Sequence, residues 1–477
     1  MHNQSSTVHR VLSHHFAVTK KESEYGWYSP DAPAPHPLIR RQGALLVLLV
    51  LLWAGLYGSN VQAQTAISSE ISLTEPEYVG LSSDRLQHLD NEIQYNIDNE
   101  LLAGSVVLIA RDGEIVYLNA AGMQDIEAGI PMDEDTIFRI ASMTKPITSV
   151  AVMMLYEEGH FMLGDPVSDY IPAFHDMRVL ADSANEDATG NPPTVPAERP
   201  ITIQHLLTHT SGISYGENPV IMEMAEEKGI TTGLTTDSNT LAEDIPKLAT
   251  LPLVHQPGEK WTYGMSTDVL GYLVEVVSGM PLDQFFRERI FDPLGMDDTQ
   301  FHVSDRQESR LAAAYTVGSD GNGLRRLGDG PGQASLPNVG PGTYPTDEEH
   351  KFLAGGAGLT STVPDYYRFT QMLLNGGELD EVRLLSPKTV ELMATDHVGD
   401  LLEDMGFGLG FSVTRSLAER GELGSVDTFG WGSFWYGTFF IDPAENMIGI
   451  SVAQKHPGGG ATLNRKFGVL ARQAIVD

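Results

Sequence analysis

The sequence predicts an α+β fold: one antiparallel sheet flanked by helices, made from both ends of the chain, with a mostly helical domain inserted between them. Three observations point there. Residues 105–110 and 114–118 are apolar runs joined by Arg111-Asp112-Gly113, the signature of a tight hairpin. Residues 408–414, 434–441 and 447–454 read as strands near the other end, the last two joined through Asp442-Pro-Ala-Glu-Asn446. The middle of the chain carries helical periodicity and long irregular loops instead. Neither set of strands has enough partners to stand alone, so the two must pair.

In chain order, the first 63 residues read as a leader and signal peptide. Arg40-Arg41 precede an apolar run from Ala44 to Leu56, and Val61-Gln62-Ala63 is a small-x-small cleavage site. The run is short for a membrane span. The expectation is export to the periplasm or beyond, cleavage near Ala63, and no stable membrane association afterwards.

The sheet domain opens at residues 76–164. Leu81, Leu86, Leu89, Ile93, Ile97 and Leu101 recur at helical spacing behind Ser82-Ser83-Asp84. The hairpin follows, then a buried helix ending at Gly159. Residues 165–347 form the helical domain, with helices expected at 201–212, 240–251, 266–278 and 281–291, the last opened by Pro281. Two stretches, 183–200 and 319–346, are rich in Gly, Pro, Asp and Asn and read as surface loops at the pocket mouth. Residues 348–477 complete the sheet domain, with helices at 363–374 and 386–393 and a last helix at 464–476.

Composition narrows the chemistry. A chain of 477 residues without cysteine excludes disulfides, zinc–thiolate sites and thiol nucleophiles. Thirty Lys+Arg against 64 Asp+Glu give a net charge of −34, which argues against nucleic acid and anionic membranes as partners.

The chemistry centres on Phe138-Arg-Ile-Ala-Ser142-Met-Thr-Lys145-Pro. Ser142 stands where an apolar helix begins, and Lys145 follows one turn later on the same face. The serine's own N–H is an unpaired helix-start donor, open to an oxyanion. An ammonium is costly to bury, so a lysine placed there suits proton handling. By itself Ser-x-x-Lys is a weak signal, since an N-cap serine and a surface lysine give the same pattern. The pair also needs a proton relay, for which Tyr263 in Pro257-Gly-Glu-Lys-Trp-Thr-Tyr263 is the candidate. A lone tyrosine is more often core packing. Phe429-Gly-Trp431-Gly432-Ser433-Phe434 has little side chain at 430 and 432, which lets backbone approach a ligand or merely bends a strand.

Two other motifs compete. Gly212-Ile-Ser214-Tyr-Gly216 matches the Gly-x-Ser-x-Gly elbow, but that elbow needs a strand before it and a helix after, and a helical stretch precedes it here. His205 and His209 have metal-ligand spacing without a neighbouring Glu or third ligand, so a structural role is expected and no metal is assigned.

These blocks, in this order and together with Ile203-Gln-His-Leu-Leu-Thr-His-Thr-Ser-Gly212 and Ala354-Gly-Gly-Ala-Gly-Leu-Thr-Ser361, resemble the serine β-lactamase and penicillin-binding superfamily. The branch most alike is that of class C β-lactamases, D-aminopeptidases and family VIII carboxylesterases. The resemblance runs from about Leu81 to the end. It implies a β-lactamase/transpeptidase-like fold, Ser142 as the acylated serine, Lys145 as its lysine, and Tyr263 as general base. It puts the oxyanion hole at the N–H groups of Ser142 and Phe434. Met265, Trp431, Gly432 and Ser433 fall at substrate-binding positions. Two departures matter: Met265 replaces the asparagine of Tyr-x-Asn, and Trp431 replaces the lysine that pairs with an antibiotic or peptide carboxylate. The resemblance therefore implies a carboxylesterase acting on neutral acyl esters, without metal or organic cofactor. The alternatives are a β-lactamase, D-aminopeptidase or D-alanyl-D-alanine carboxypeptidase on peptide-like cell-wall substrates, or a catalytically silent binding member.

Overall fold

Strand β1 (Gly104–Arg111) is apolar at every second position on both faces, which is what a central strand needs. Val106, Leu108 and Ala110 enter one hydrophobic core, while Val107 and Ile109 enter another on the opposite side. In this computed structural model the described residues are 72–181, 192–215, 219–231, 234, 238–318, 321, 323–328, 345–346 and 350–477. The first 63 residues, read from the sequence as leader and signal peptide, and much of the two long loops lie outside them.

Strand β2 (Glu114–Asp125) returns from β1 through Asp112-Gly113, whose φ values of +56° and +81° are those of the mirror-image turn that matches strand twist. The other strands of this sheet are β3 (Ile130–Pro131), β4 (Gly406–Phe407), β5 (Ser412–Val413), β6 (Phe429–Gly432), β7 (Gly437–Asp442) and β8 (Met447–Ala453). Their spatial order is β4-β5-β6-β7-β8-β1-β2-β3. The two ends of the chain meet where β1 and β8 pair antiparallel, from Ser105 opposite Ala453 to Arg111 opposite Met447. The α+β plan read from the sequence is the one observed.

Helices α1 (Ser83–Asp98) and α5 (Leu463–Arg472) cover one face of the sheet, packing Leu86, Leu89, Ile93, Leu463 and Phe467 over Val107, Ile109 and Phe440. Against the other face lies α2 (Thr144–Glu157), buried from Thr144 through Leu155. Helix α3 (Ser266–Ser278) packs on α2, and α4 (Val363–Leu374) on β8. One core runs from the sheet through α2 to Ile245, Leu270 and Phe285, so the inserted helices share the sheet's interior. Residues 71–477 form one compact unit.

Several boundaries differ from expectation for local reasons. Residues 408–414 are not one strand: at Gly410, φ +96°, the backbone dips onto α2, where an added Cβ would meet Ser149 Oγ at 2.1 Å. Phe434 lies in the turn between β6 and β7 rather than on a strand, because Tyr436 takes a φ of +69° before β7 starts. The helix expected at 201–212 stops at Leu207, since His209 has φ +54°. The stretch 281–291 changes from α to a π turn at Arg287–Phe291. Pro219–Glu227 is a helix that the sequence did not reveal.

Candidate active site

The chain reaches α2 through a tight 3₁₀ turn, Ala141–Met143. Ala141 is fully buried with φ +39°, a left-handed conformation that an alanine holds only under constraint from its surroundings. Ser142 is thus placed in the turn, two residues ahead of the helix, and stays partly exposed while its neighbours are buried. Lys145 falls in the first turn of α2, 1% exposed.

Tyr263 lies in the loop just before α3, and its Oη donates to Ser142 Oγ at 2.7 Å. The Lys145 ammonium donates to Tyr215 Oη at 2.9 Å and to the Gly356 carbonyl at 2.7 Å. It lies 4.7 Å from the centre of the Tyr263 ring and 5.2 Å from that of Tyr215, close enough for cation–π attraction. Ser142, Lys145 and Tyr263, the last far from the others in the chain, therefore share one site.

The glycines of Ala354-Gly-Gly-Ala-Gly are there because backbone and side chains crowd them. A Cβ at Gly355 would meet the Thr267 carbonyl of α3 at 2.7 Å, and one at Gly356 would meet Asp268 Oδ2 at 2.8 Å and Tyr215 Oη at 3.0 Å. The Gly356 N–H donates to Asp268 Oδ1 at 3.0 Å, so one residue touches the lysine through its carbonyl and the aspartate through its N–H. Asp268 is fully buried, and burial pushes its carboxyl up to about 6 against the pull of Lys145 and two backbone donors. Burial also holds the Tyr215 phenol well above its ordinary range.

An aromatic wall surrounds the phenol. Tyr263 stacks on Trp261 at 6.0 Å between ring centres, with Trp431 at 5.6 Å, Tyr215 at 5.3 Å and His209 at 5.0 Å; Phe407 closes the group against Trp431 at 5.3 Å. His209 is fully buried, and desolvation followed by the Lys145 charge drives it down to about 3, so it is a neutral ring. His205 turns elsewhere, accepting from the Thr202 N–H at the start of its own helix. The two histidines thus do not converge.

Trp431 and Gly432 are on β6, Gly432 opposite Thr438. Ser433 is tied into the turn, its N–H donating to the Gly437 carbonyl at 2.8 Å and its Oγ accepting from the Trp435 N–H at 3.1 Å. That turn abuts the nucleophile turn: a Cβ at Gly437 would meet Met143 Sδ at 2.9 Å. Phe434 stacks on His456 at 3.5 Å, and its carbonyl contacts His456 Nδ1. Met265 packs into the hydrophobic core, 4% exposed. Ser214 follows a helix and an irregular stretch instead of a strand, so no nucleophile elbow forms; the neighbouring Tyr215 is what that motif contributes to the site.

Tyr215, Asp268 and Gly356 were not singled out from the sequence. Tyr215 was hidden inside the competing motif, and a first-turn aspartate is so common at helix starts that Asp268 carries no signal alone.

A model of the family described as Beta-lactamase matches residues 89–473. Protein Rv1367c of Mycobacterium tuberculosis is 38% identical over 376 residues, covering 76% of this chain and 88% of that protein. Esterase EstB of Burkholderia gladioli is 34% identical over 379 residues, covering 76% of this chain and 88% of the esterase. Among solved structures, EstCE1, described as a hydrolase with promiscuous acyltransferase activity, superposes with a TM-score of 0.68 at 28% identity, over 83% of this chain and 98% of its own.

Proposed function

This chain belongs to the beta-lactamase family, and from that premise we propose that it is an exported serine hydrolase that works through an acyl-enzyme on neutral acyl esters. The observation that carries the reading is the 2.7 Å contact between Tyr263 Oη and Ser142 Oγ, with a buried ammonium 4.7 Å from the phenol ring.

Ser142 Oγ attacks the ester carbonyl and its proton passes across the contact to Tyr263 Oη, which acts as the base in its phenolate form beside the Lys145 ammonium. The N–H groups of Ser142 and Phe434 take the oxyanion of the tetrahedral intermediate. Collapse expels the alcohol, which recovers the proton from Tyr263, and water then releases the acid by the same steps in reverse. Every proton taken is returned, and the cycle needs no metal or organic cofactor.

The neutral ester is favoured over an anionic antibiotic or cell-wall peptide by two side chains. Trp431 offers a ring beside Tyr263 where a carboxylate would need a cation, and Met265 offers no amide. The esterase name of a 34% identical relative points the same way. Export rests on the apolar run at 44–56 and on Val61-Gln62-Ala63; among the described residues no helix is long and apolar enough to cross a membrane.

The test compares p-nitrophenyl butyrate with a chromogenic cephalosporin, using protein that starts after Ala63. The expected result is ester turnover at least 100-fold above cephalosporin turnover, a margin of roughly 2.7 kcal/mol in the barrier, and a fluorophosphonate label lost in Ser142→Ala. Preferred cephalosporin turnover would move the chain to the lactamase or peptidase reading. Equal labelling of Ser142→Ala and wild type would leave a silent binding member.

A further inference from the structure

We propose that Asp268 is a positioning residue of the hydrolytic site: its buried carboxylate, across Gly356 from Lys145, holds the lysine as a cation beside Tyr263. The inference rests on the serine hydrolase reading and adds a fourth side chain to it.

The geometry is a closed chain of polar groups. Asp268 Oδ1 accepts the Gly356 N–H at 3.0 Å, and the carbonyl of the same residue accepts the Lys145 ammonium at 2.7 Å. Asp268 Oδ2 is buried without a hydrogen-bond partner among the described residues, 2.8 Å from the point where a Gly356 side chain would start; Tyr215 Oη, the other acceptor of Lys145, lies 3.0 Å from that point. A buried carboxylate oxygen left unpaired is costly, and a helix start or a loop anchor does not require it. What the arrangement supplies is negative charge beside the lysine.

The groups facing Asp268 leave few alternatives for that charge. Lys145 approaches from α2. From the 209–215 segment come Tyr215, a phenol held neutral by burial, and, farther off, neutral His209. Its own helix contributes backbone N–H, and the 354–358 loop contributes the Gly356 N–H. The Lys145 ammonium stands 4.7 Å from the centre of the Tyr263 ring, so its charge is what faces the phenol. An anion at Asp268, across Gly356 from Lys145, keeps that charge in place while Tyr263 Oη takes the Ser142 proton during attack.

The carboxyl titrates at about 6, so the site is competent above that pH and loses its anion below it. Asp268→Asn keeps size and an acceptor for Gly356 while deleting the charge. The expected result is a fall of about 30-fold in kcat, within the range of proton-transfer contributions, with KM nearly unchanged. The labelling rate of Ser142 by a fluorophosphonate should fall in parallel. Wild type should show a break in kcat/KM near pH 6 that the Asn variant lacks. Unchanged kcat, or a fall in kcat with the wild-type break intact, overturns the proposal and makes Asp268 a structural residue. Should the Asn variant not fold, the wild-type profile decides: a break near 6 that stays put with temperature is a carboxylate, whereas no break, or one that shifts as an imidazole does, overturns the assignment. The label keeps the two readings apart, because it reports activation of Ser142 even if esters prove not to be the substrate.

Discussion

Asp268 and Asp365 occupy the same place on their helices, the third residue of α3 and of α4, and burial raises both carboxyls to about 6. They are satisfied in different ways. Asp365 Oδ2 accepts the Asp298 N–H at 2.8 Å and the Thr299 hydroxyl at 2.9 Å, fastening the 297–301 segment to the start of α4. Asp268 Oδ1 accepts the Gly356 N–H, its Oδ2 has no partner among the described residues, and a lysine lies on the far side of Gly356. Helix position and acidity are thus no guide to role. What separates a clamp from a member of a reactive cluster is what the carboxylate faces, two donors of a neighbouring segment at Asp365 and a lysine across Gly356 at Asp268, and the comparison can be strained at both ends.

The largest effect is expected at the reactive end. Tyr263→Phe removes the hydroxyl 2.7 Å from Ser142 Oγ and keeps the ring that Trp261 and Trp431 pack against. Ester hydrolysis should fall about 1,000-fold, within the span of general-base contributions, while the melting temperature stays close to wild type. A Phe variant with more than a tenth of wild-type turnover would separate the reactive oxygen from the phenol and remove the cluster from which Asp268 is distinguished.

The second effect is on stability and follows from the sign of the shifts. Both aspartates bind protons more tightly folded than unfolded, so each contributes stability that is full below about pH 4 and is lost as pH rises toward 6. For a shift from 3.8 to about 6, that loss is on the order of 3 kcal/mol. Asp268→Asn should therefore gain stability over wild type as pH rises from 4 to 6, with the difference level above that. Denaturant unfolding of the two proteins across the window measures it. A stabilised variant that is also slow would be the mark of a charge kept for chemistry.

The parts that could be read in advance carry their own backbone demand. Asp112-Gly113 specifies its turn because both residues accept positive φ, and α3 and α4 fall at the residues expected because apolar spacing agrees with the stop at Gly279 and with the cap at Thr362. Ser142, Lys145 and Tyr263 stood out as candidates because each sits in a motif with ordered neighbours. Phe434 was put on a strand because its apolar run is continuous, whereas the strand starts only after the positive φ at Tyr436. Gly410 and Gly356 are set by contacts with α2 and with Asp268, partners remote in sequence that no local pattern encodes.

Gly356→Ala tests the residue that joins the two charges. Its Cβ would stand 2.8 Å from Asp268 Oδ2 and 3.0 Å from Tyr215 Oη, so the groups around Lys145 must shift to admit it. Turnover should fall about 20-fold, or roughly 1.8 kcal/mol, with a smaller loss of stability because a side chain can give by a few tenths of an ångström. Wild-type turnover in this variant would mean that the cluster tolerates displacement, and the contrast with Asp365 would lose its geometric basis.

The smallest effect belongs to the clamp. Asp365→Ala leaves the Asp298 N–H and the Thr299 hydroxyl without their acceptor, although Thr299 retains its contact with Ser361 Oγ at 2.7 Å. A loss of about 1–2 kcal/mol in unfolding free energy is expected from hydrogen-bond removal at a buried site. The rate of ester hydrolysis per folded molecule, and its pH profile, should stay as in wild type. A shifted profile in the Ala variant would show that the 297–301 segment reports to the reactive cluster, through Gln300 and the residues 354–361 it pairs with at Thr360. In that case the division into clamp and cluster would give way to one connected network around Ser142.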